Sequence, residues 1–360
     1  MHLRHIITLL LALVVYGCSR GRTHVYDLTC EGMENPLGID NTEPHFSWKL
    51  ISGKPARQVA YEILVASRKE LLKPGKADLW DSGQTSSDAS VMVPYGGKAL
   101  QSRQLCFWKV RVWTEDGPTG WSAVQRFAVG IQGGDQMQGQ YIGLGIGQDK
   151  AIFLTRTYNI NKVGQAAFLH VNSLGYHEVY LNGKRVSDAP LAPAVSQMDK
   201  RSLIVTYDVT KFLKKGENQL LLWIGSGWYK RDTFRATFDG PAVKAELDML
   251  EDGTWKPIVQ TDGQWQAAES GYYDTGRWLP WQFEGERIDA RLVPTDFSPK
   301  GLAALDWQPA KTAHIEGIEA TPQMCQLNTV KETINSAAIT SLGGDRWLVD
   351  MGKAFNGQFE

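Results

Sequence analysis

The sequence has little net charge and little cysteine, and both shortages exclude whole classes of function. Among its 360 residues, 38 basic and 39 acidic side chains leave a formal net charge of −1. A protein that binds nucleic acid needs a basic stripe, so no nucleic-acid partner is expected. Only four cysteines occur, and the three after Cys18 show no CxxC spacing, which indicates neither a zinc site nor a disulfide framework. Pairing of Cys30 with Cys106 in an oxidising compartment and burial of both as free thiols remain open alternatives.

The sequence also lacks the short motifs of common hydrolases, nucleotide-binding proteins and metalloenzymes. No GxSxG, HExxH or phosphate-binding loop occurs. His170 and His177 are seven residues apart, which would place them on opposite faces of a continuous strand and gives no metal signature. Asp208, in the run YDVT, is interpreted as a turn or capping residue that accepts backbone N–H groups.

Long hydrophobic runs are missing beyond the N-terminus. Residues 6–15 form an apolar run of ten behind basic residues, which is too short to span a bilayer and is typical of a signal peptide. The run ends in VYGC, which is similar to a bacterial lipobox, so residues 1–18 are predicted to be a signal peptide with Cys18 as the acylated residue. An ordinary secretory signal with an incidental cysteine is the alternative. The protein is therefore expected to be exported, as a periplasmic, outer-membrane or cell-surface lipoprotein that meets the membrane only through its lipid.

Aromatic residues, by contrast, are plentiful, with 13 Trp and 12 Tyr. Between residues 26 and 130, short alternating stretches are separated by turn signals and no helical period appears. In FWKVRVW, for example, Trp108 and Val110 share one face of a strand. This pattern predicts an antiparallel β-sandwich of about a hundred residues, with Trp48 and Trp108 in its core.

A second β-rich block is predicted downstream. Residues 131–150 are rich in Gly and Gln with few apolar residues, which is typical of a linker. Residues 151–300 again read as short strands, including a hairpin whose Asn182-Gly183 pair suits a type I′ turn. The block is predicted to be a second sandwich of jelly-roll type, as in carbohydrate-binding modules. Residues 306–360 alternate in short runs and are interpreted as the truncated start of a further β-domain, with an exposed strand edge that favours aggregation.

Specific strings in the first block resemble a known family. NPLGID, PHFSWKL, QVAYEILVA, LWDSGQTSS and FWKVRVW are similar to the fibronectin III-like N-terminal domain of the bacterial α-L-rhamnosidases, glycoside hydrolase family 78. The next domain of that family is matched in order by GYHEVYLNG, LAP, YDVT, KKGEN, GSGWY, FEGERIDAR and DWQPA. VDMGKAFNGQ resembles the strand that opens the following domain. The ordered set covers nearly the whole chain after the signal segment.

The resemblance implies a hydrolase that removes terminal α-L-rhamnose from glycosides and polysaccharides. The family inverts configuration inside an (α/α)6 barrel and uses two carboxylates as general acid and general base. This sequence has no run of amphipathic helices from which such a barrel could form. No catalytic residue is therefore assigned to this chain, and its expected partner is a catalytic (α/α)6 domain encoded downstream.

The family resemblance also directs attention to possible sugar contacts. In GSGWYKRD, Trp228 and Tyr229 follow two glycines and precede Arg231 and Asp232. This arrangement suits an exposed aromatic rim with polar neighbours for sugar hydroxyls. Packing against another domain would use the same residues and is the alternative. In some family members this domain resembles a calcium-dependent rhamnose-binding module, and Asn182 lies in the hairpin where such a contact would fall.

The metal expectation at Asn182 is left open. The residue before it is the apolar Leu181, which does not suit a calcium ligand set, so calcium is only a possible cofactor and no other metal is indicated. Residues 194–201 also depart from the family pattern after LAP, so no role is carried over to that loop. Two functions remain: the inactive N-terminal part of an α-L-rhamnosidase, or a stand-alone surface lipoprotein that binds rhamnose-containing glycans.

Overall fold

The computed structural model describes residues 23–131, 137–145, 147, 149–230, 240–275, 285–355 and 357, without the side chains of Trp228 and Lys230. The predicted signal peptide with Cys18, and the candidates Arg231 and Asp232, lie outside the described residues. Within the described part, all regular structure consists of strands and short 3-10 turns, and no helix there is long and apolar enough to cross a membrane. The all-β prediction is confirmed.

The first domain pairs a three-stranded sheet with a seven-stranded one. Its strands are β1 (His24–Cys30), β2 (Leu37–Ile39), β3 (His45–Ile51), β4 (Gln58–Ala66), β5 (Trp80–Asp81), β6 (Thr85–Ser86), β7 (Val93–Pro94), β8 (Leu105–Thr114), β9 (Gly117–Pro118) and β10 (Gln125–Val129). The smaller sheet has the order β1-β3-β7 and the larger β2-β10-β8-β4-β5, with β6 and β9 at its edges. All pairs are antiparallel except β2 with β10.

The core between these sheets is aromatic, as the sequence predicts. Trp48 and Trp108 are buried, and the ring of Phe46 lies 4.4 Å from that of Trp108. The buried indole N–H of Trp48 donates to the side-chain oxygen of Gln58 at 3.0 Å, so its polar atom is satisfied. Cys30 and Cys106 are both buried free thiols, as in the second of the two alternatives for this pair. Burial raises the pKa of both thiols.

The second domain is a larger sandwich of two seven-stranded sheets. Its strands are β11 (Ile142–Gly143), β12 (Lys150–Ile160), β13 (Ala166–Leu174), β14 (Tyr176–Leu181), β15 (Lys184–Arg185), β16 (Arg201–Asp208), β17 (Gly216–Gly225), β18 (Ala242–Glu251), β19 (Thr254–Gln260), β20 (Gln266–Thr275), β21 (Gly285–Ile288), β22 (Gln308–Pro309), β23 (Lys311–Thr312) and β24 (Glu319–Pro322). One sheet has the order β23-β11-β18-β13-β16-β24 with β19 beside β18. The other has the order β15-β14-β17-β12-β20-β21 with β22 beside β20. Short 3-10 turns occupy Lys69–Leu71, Thr210–Phe212 and Gly227–Lys230.

The described part of the segment predicted to be a linker contributes to this sandwich. Strand β11 pairs with β18 on one side and β23 on the other. Ile131 and Met137 are buried against Ile204 of β16. Although the segment is rich in glycine, its few apolar residues are buried against the sheets. A prediction from composition alone therefore underestimates how well this segment packs.

Residues 308–322 likewise complete the second domain, which differs from the prediction that a new domain starts at residue 306. Strands β22 and β23 extend the two sheets, and β24 runs parallel to β16. These strands are only two to four residues long, so their alternation is too short to show which sheet they join. Among the described strands, β25 (Ala338–Gly343) and β26 (Arg346–Asp350) form a separate two-stranded sheet.

This hairpin exposes an apolar face. Ile339 pairs directly with Val349, and Trp347 lies two residues from Val349 on the same face. The side chain of Trp347 is 64 % exposed. A two-stranded sheet is marginally stable in water, and an exposed apolar strand is a site for association.

Replacing Trp347 by serine is therefore expected to reduce association of the chain without changing its stability. Light scattering and binding of a hydrophobic dye should fall, while the free energy of unfolding measured in urea stays within about 0.5 kcal/mol of the original protein. Val330→Ser is the matched control, because Val330 is equally exposed at 64 % but lies outside the hairpin. Equal effects of the two substitutions would show that association does not depend on the hairpin.

Candidate carbohydrate-binding surface

Asn182 occupies the predicted hairpin turn, but its side chain serves the fold. Its φ is 53° and that of Gly183 is 78°, as a type I′ turn requires. The Asn182 amide nitrogen donates at 2.9 Å to both the Phe212 carbonyl and the Asn218 side-chain oxygen. Its oxygen accepts from the backbone N–H of Gln219 at 3.0 Å. The amide thus ties the hairpin to β17, and its polar atoms are already bonded within the protein.

The surroundings of Asn182 contain no acidic ligand set. Its bonded partners are a backbone carbonyl, a backbone N–H and another carboxamide, whereas calcium sites are built around carboxylates. Among the described residues, no group of three or more His, Cys, Asp or Glu side chains could hold a metal ion. The residues present around Asn182 therefore do not fit a calcium site.

Tyr229 is buried, which differs from the exposed aromatic rim predicted for it. Only 3 % of the residue is exposed, and its ring packs with Leu174, Met198 and Ala242. Burial raises the pKa of its hydroxyl to about 12. The backbone of Trp228 lies in the same 3-10 turn, Gly227–Lys230. Two aromatics after a glycine at the end of a strand suit a rim, but the loop that follows Pro193 folds back over Tyr229 and covers it.

That covering loop, residues 194–201, is held at both ends. The backbone N–H of Ala194 donates to the side-chain oxygen of Gln323 at 2.9 Å. The hydroxyl of Ser196 donates to the carbonyl of Arg201 at 2.7 Å, and the N–H of Arg201 donates to the carbonyl of Gln197 at 2.7 Å. Between these anchors, Met198 is buried against Tyr229. The loop is thereby fixed as a tight turn rather than left open.

Beside this loop lies a polar depression of about 480 Å³. Its lining consists of Val195, Ser196, Gln197, Lys200, Arg201, Leu203 and Glu319. Arg201 and Glu319 are direct neighbours across the parallel pair β16 and β24, yet no ion pair joins them within the described part of the chain. The depression therefore offers charged and hydrogen-bonding groups beside the apolar side chains of Val195 and Leu203, a combination that suits a sugar.

A buried polar network lies near the same end of the second domain. His177 bonds through Nδ1 to the Ser173 hydroxyl at 2.6 Å and through Nε2 to the Tyr207 hydroxyl at 2.9 Å. A hydroxyl can act as a nucleophile when a neighbouring imidazole acts as its base, but here all three side chains are buried. The network therefore stabilises the core. Because β13 ends at Leu174, His170 and His177 lie on different strands, β13 and β14, so the prediction of opposite faces along one continuous strand does not apply to them.

Burial makes the stability of the fold depend on His177. It lowers the pKa of the imidazole to about 3, against about 6.5 in the unfolded chain. The neutral ring therefore contributes fully above pH 6.5, and that contribution is lost as the pH falls toward 3, at about 1.4 kcal/mol per pH unit.

Replacing His177 by glutamine is expected to flatten the decline of stability between pH 6.5 and 4.5 by about that slope. Urea unfolding measured at several pH values checks this result. His314→Gln is the control, because His314 is exposed and its variant should keep the original slope. A slope unchanged in His177→Gln would mean that His177 is already protonated in the folded protein.

Comparisons with known proteins agree with the sequence resemblance. The α-L-rhamnosidase N-terminal domain family matches residues 162–332, and the Rha78A-like N-terminal immunoglobulin domain family matches residues 25–133. An α-L-rhamnosidase of Formosa agariphila is 31 % identical over 297 residues, covering 77 % of this chain and 31 % of the relative. One of Alteromonas sp. is 32 % identical, covering 77 % of this chain and 32 % of the relative. The chain thus spans about a third of the length of these relatives.

Solved structures show the same fold. The α-L-rhamnosidase of Dictyoglumus thermophilum superposes with a TM-score of 0.77 at 24 % identity, covering 93 % of this chain and 39 % of that protein. The Streptomyces avermitilis α-L-rhamnosidase, solved with L-rhamnose, has a TM-score of 0.73 at 19 % identity, covering 92 % of this chain and 49 % of that protein. At this identity the likeness concerns the arrangement of the β-domains.

Proposed function

Because the chain belongs through its two N-terminal domains to the α-L-rhamnosidases of glycoside hydrolase family 78, we propose that it is the non-catalytic front of a secreted enzyme that removes terminal α-L-rhamnose from glycosides or polysaccharides. The observation that carries this proposal is the match of both N-terminal domain families in order, in an aligned part that covers about a third of the length of the relatives. The inverting acid and base would lie in an (α/α)6 domain encoded downstream, which is the partner of these β-domains.

The buried carboxylates of the described domains have a structural role. Three are buried, namely Glu62, Glu246 and Asp248. Each is held by an arginine: Arg111 bonds Glu62 at 2.6 Å, and Arg103 bonds the other two. A general acid or base must face the substrate and exchange a proton with it, whereas these groups are enclosed and ion-paired.

Sequencing beyond codon 360 tests this proposal. A reading frame that continues, or resumes after a frameshift, and encodes a run of amphipathic helices is the expected result. A downstream region with no such coding potential would contradict the proposed partner.

We propose that the protein is exported as a periplasmic, outer-membrane or cell-surface lipoprotein that is attached through a lipid on Cys18. Labelling with radioactive fatty acid should mark the protein, and Cys18→Ser should abolish the label. A labelled serine variant, or an unlabelled original protein, would replace this proposal by an ordinary secretory signal.

A second function, binding of rhamnose-containing glycans by this chain as a surface lipoprotein, is favoured by the depression beside residues 194–201. Of the candidates named from sequence, Asn182 and Tyr229 are engaged in the fold, so Arg201 and Glu319 replace them as the side chains that would meet sugar hydroxyls.

Calorimetric titration with L-rhamnose tests this second function. Millimolar affinity that is lost in Arg201→Gln and kept in Arg57→Gln is expected, since Arg57 is an exposed arginine on the other domain. Absence of binding to the original chain at millimolar sugar would exclude it.

A further inference from the structure

The outer face of the first domain carries a strip of aromatic and basic side chains. Four residues of β8 are partly exposed there, namely Phe107, Lys109, Arg111 and Trp113, while the residues between them are buried in the sandwich core. Residues on one face of a strand recur about every 7 Å, so these four span about 20 Å. Trp121 lies beside them, since both Lys109 and Arg111 contact its ring. These five residues form the β8 strip, in which rings and positive charges follow one line.

Arg111 holds the two indole rings of the β8 strip in position. Its guanidinium carbon lies 4.8 Å from the centre of the Trp113 ring and 4.7 Å from that of the Trp121 ring. Its Nε and Nη2 donate to Oε2 of the buried Glu62 on β4, at 2.7 and 2.6 Å. Because Glu62 balances the charge of Arg111, the net charge of the strip comes from other side chains.

Three lysines at the β8 strip have no carboxylate to balance them. Nζ of Lys109 lies 4.5 Å from the centre of the Trp121 ring, and Nζ of Lys69 lies 5.4 Å from that of the Phe107 ring. Lys73 follows in the same segment as Lys69, and the leucines of that segment pack against the rings of the strip. Within the described part of the chain, none of the three lysines forms an ion pair.

Basic side chains outnumber acidic ones in this part of the first domain. Residues 62–81 together with Lys109 and Arg111 hold six basic and four acidic side chains, in a chain whose formal net charge is −1. Two of the acids, Asp78 and Asp81, accept backbone N–H groups of the same segment at 2.9 and 2.7 Å, which engages their oxygens within the protein. The surplus positive charge therefore faces solvent on lysines.

The positive charges around Lys109 repel one another. Partial burial, followed by the charge of Arg111, lowers the pKa of Lys109; Lys73 acts in the same direction and Glu62 in the opposite one. A bound anion would favour the protonated lysine and relieve this repulsion. Because the ammonium group of Lys109 also lies over an indole ring, this place suits an anion that is attached to an apolar surface.

We propose that the β8 strip binds a polysaccharide that contains uronic acids, whose carboxylates meet Lys69, Lys73 and Lys109. In a uronic acid the carboxylate is attached to the sugar ring itself, so an acid and an apolar C–H face lie side by side. The strip offers the complementary pair, an ammonium group 4.5 Å from the centre of an indole ring. A linear polymer also suits a linear strip. This inference rests on the proposed function, in which the chain belongs to an enzyme that acts on glycosides or polysaccharides.

Calorimetric titration of the chain with polygalacturonate tests the proposal. Binding is expected at low ionic strength, should weaken as salt is added, and should be absent with fully methyl-esterified polygalacturonate, which keeps the sugar backbone without its charges. The double variant Lys73→Gln/Lys109→Gln should bind about tenfold more weakly, because two charge contacts near the surface are lost. Lys214→Gln/Lys215→Gln is the matched control, since both lysines are exposed on the second domain and the net charge falls equally. This control should keep the original affinity.

Chemical labelling of the original chain locates the bound polymer. Acetylation followed by mass spectrometry should show that polygalacturonate protects Lys69, Lys73 and Lys109, while Lys214 and Lys215 react at their original rate. Three results would overturn the proposal: no binding of polygalacturonate at low ionic strength, equal losses in the two double variants, or binding to phosphatidylglycerol vesicles instead of the polysaccharide. These measurements do not depend on the reading frame beyond codon 360, so their failure is distinguishable from failure of the proposed enzyme role.

Discussion

Replacing Arg103 by methionine is expected to lower the free energy of unfolding at pH 7 by about 3–5 kcal/mol. Methionine keeps much of the aliphatic stem but removes the guanidinium that binds both Glu246 and Asp248. Those carboxylates would remain buried and close together without the guanidinium that both contact. Breaking a buried ion pair by removing one partner costs this much because the surviving charge is uncompensated. Urea unfolding followed by tryptophan fluorescence measures the change.

Arg57→Met is the matched control for this substitution. Arg57 contacts Asp88 at 3.3 Å, but the two side chains are 73 % and 67 % exposed. An exposed pair contributes at most about 1 kcal/mol, so the control should change stability little. Equal losses in the two variants would contradict the assignment of Arg103 as the main electrostatic contact between the domains.

Gly38→Ala is expected to destabilise the protein by about 1–3 kcal/mol more than Gly32→Ala. Both glycines have positive φ, 80° and 71°, so the backbone strain of the two alanines is similar. A methyl group at Gly38 would lie 2.5 Å from the hydroxyl oxygen of Thr206 in the second domain. A methyl group at Gly32 would have no heavy atom within 4 Å. Thr206 is not free to turn away, because its hydroxyl bonds His170.

The pair of glycine variants separates interface packing from backbone effects. Urea unfolding gives the difference in stability. With spin labels at the exposed Glu115 and Glu217, one in each domain, and Cys325 replaced by serine, the distance distribution should broaden in Gly38→Ala alone. Identical losses in the two alanine variants would show that the contact between β2 and β16 contributes no stability of its own.

Local patterns in the sequence predict the β-class, the aromatic core and one turn correctly. Trp48 and Trp108 are buried because alternation on strands identifies the face that meets the opposite sheet. The Asn182-Gly183 turn is predicted because few other residues adopt positive φ in succession. Asp208 accepts bonds from the N–H and hydroxyl of Thr210, as its position before a short turn indicates. Each of these features depends on neighbours within a few residues.

Features set by distant contacts are not predicted from the sequence. Arg103 lies 143 residues before Glu246, and no local pattern joins them. A weak signal exists, since Glu246 and Asp248 interrupt the stretch AVKAELDMLE at positions that alternation places on one face. The burial of Tyr229 depends on a loop that precedes it by about thirty residues, as its near contact with the carbonyl of Arg201 shows.

The candidate sugar-binding residues also differ from the sequence prediction because distant contacts determine which side chains are exposed. Composition points to aromatic and amide side chains, because these residue types contact sugars in general. Whether such a side chain can bind a sugar depends on its other hydrogen bonds. The Asn182 amide already bonds the Phe212 carbonyl and the Asn218 and Gln219 groups of β17. The depression at Arg201 and Glu319 arises only when the short strand β24 aligns beside β16.

The account rests on the claim that these β-domains support an α-L-rhamnosidase without performing its chemistry. Incubation of the purified 360-residue chain with p-nitrophenyl α-L-rhamnoside tests the claim most directly. We expect no release of p-nitrophenol above the rate in buffer, because the buried carboxylates are held by arginines and the acid and base are proposed to lie in a separate domain. Release of p-nitrophenol in proportion to the concentration of the chain would contradict the account.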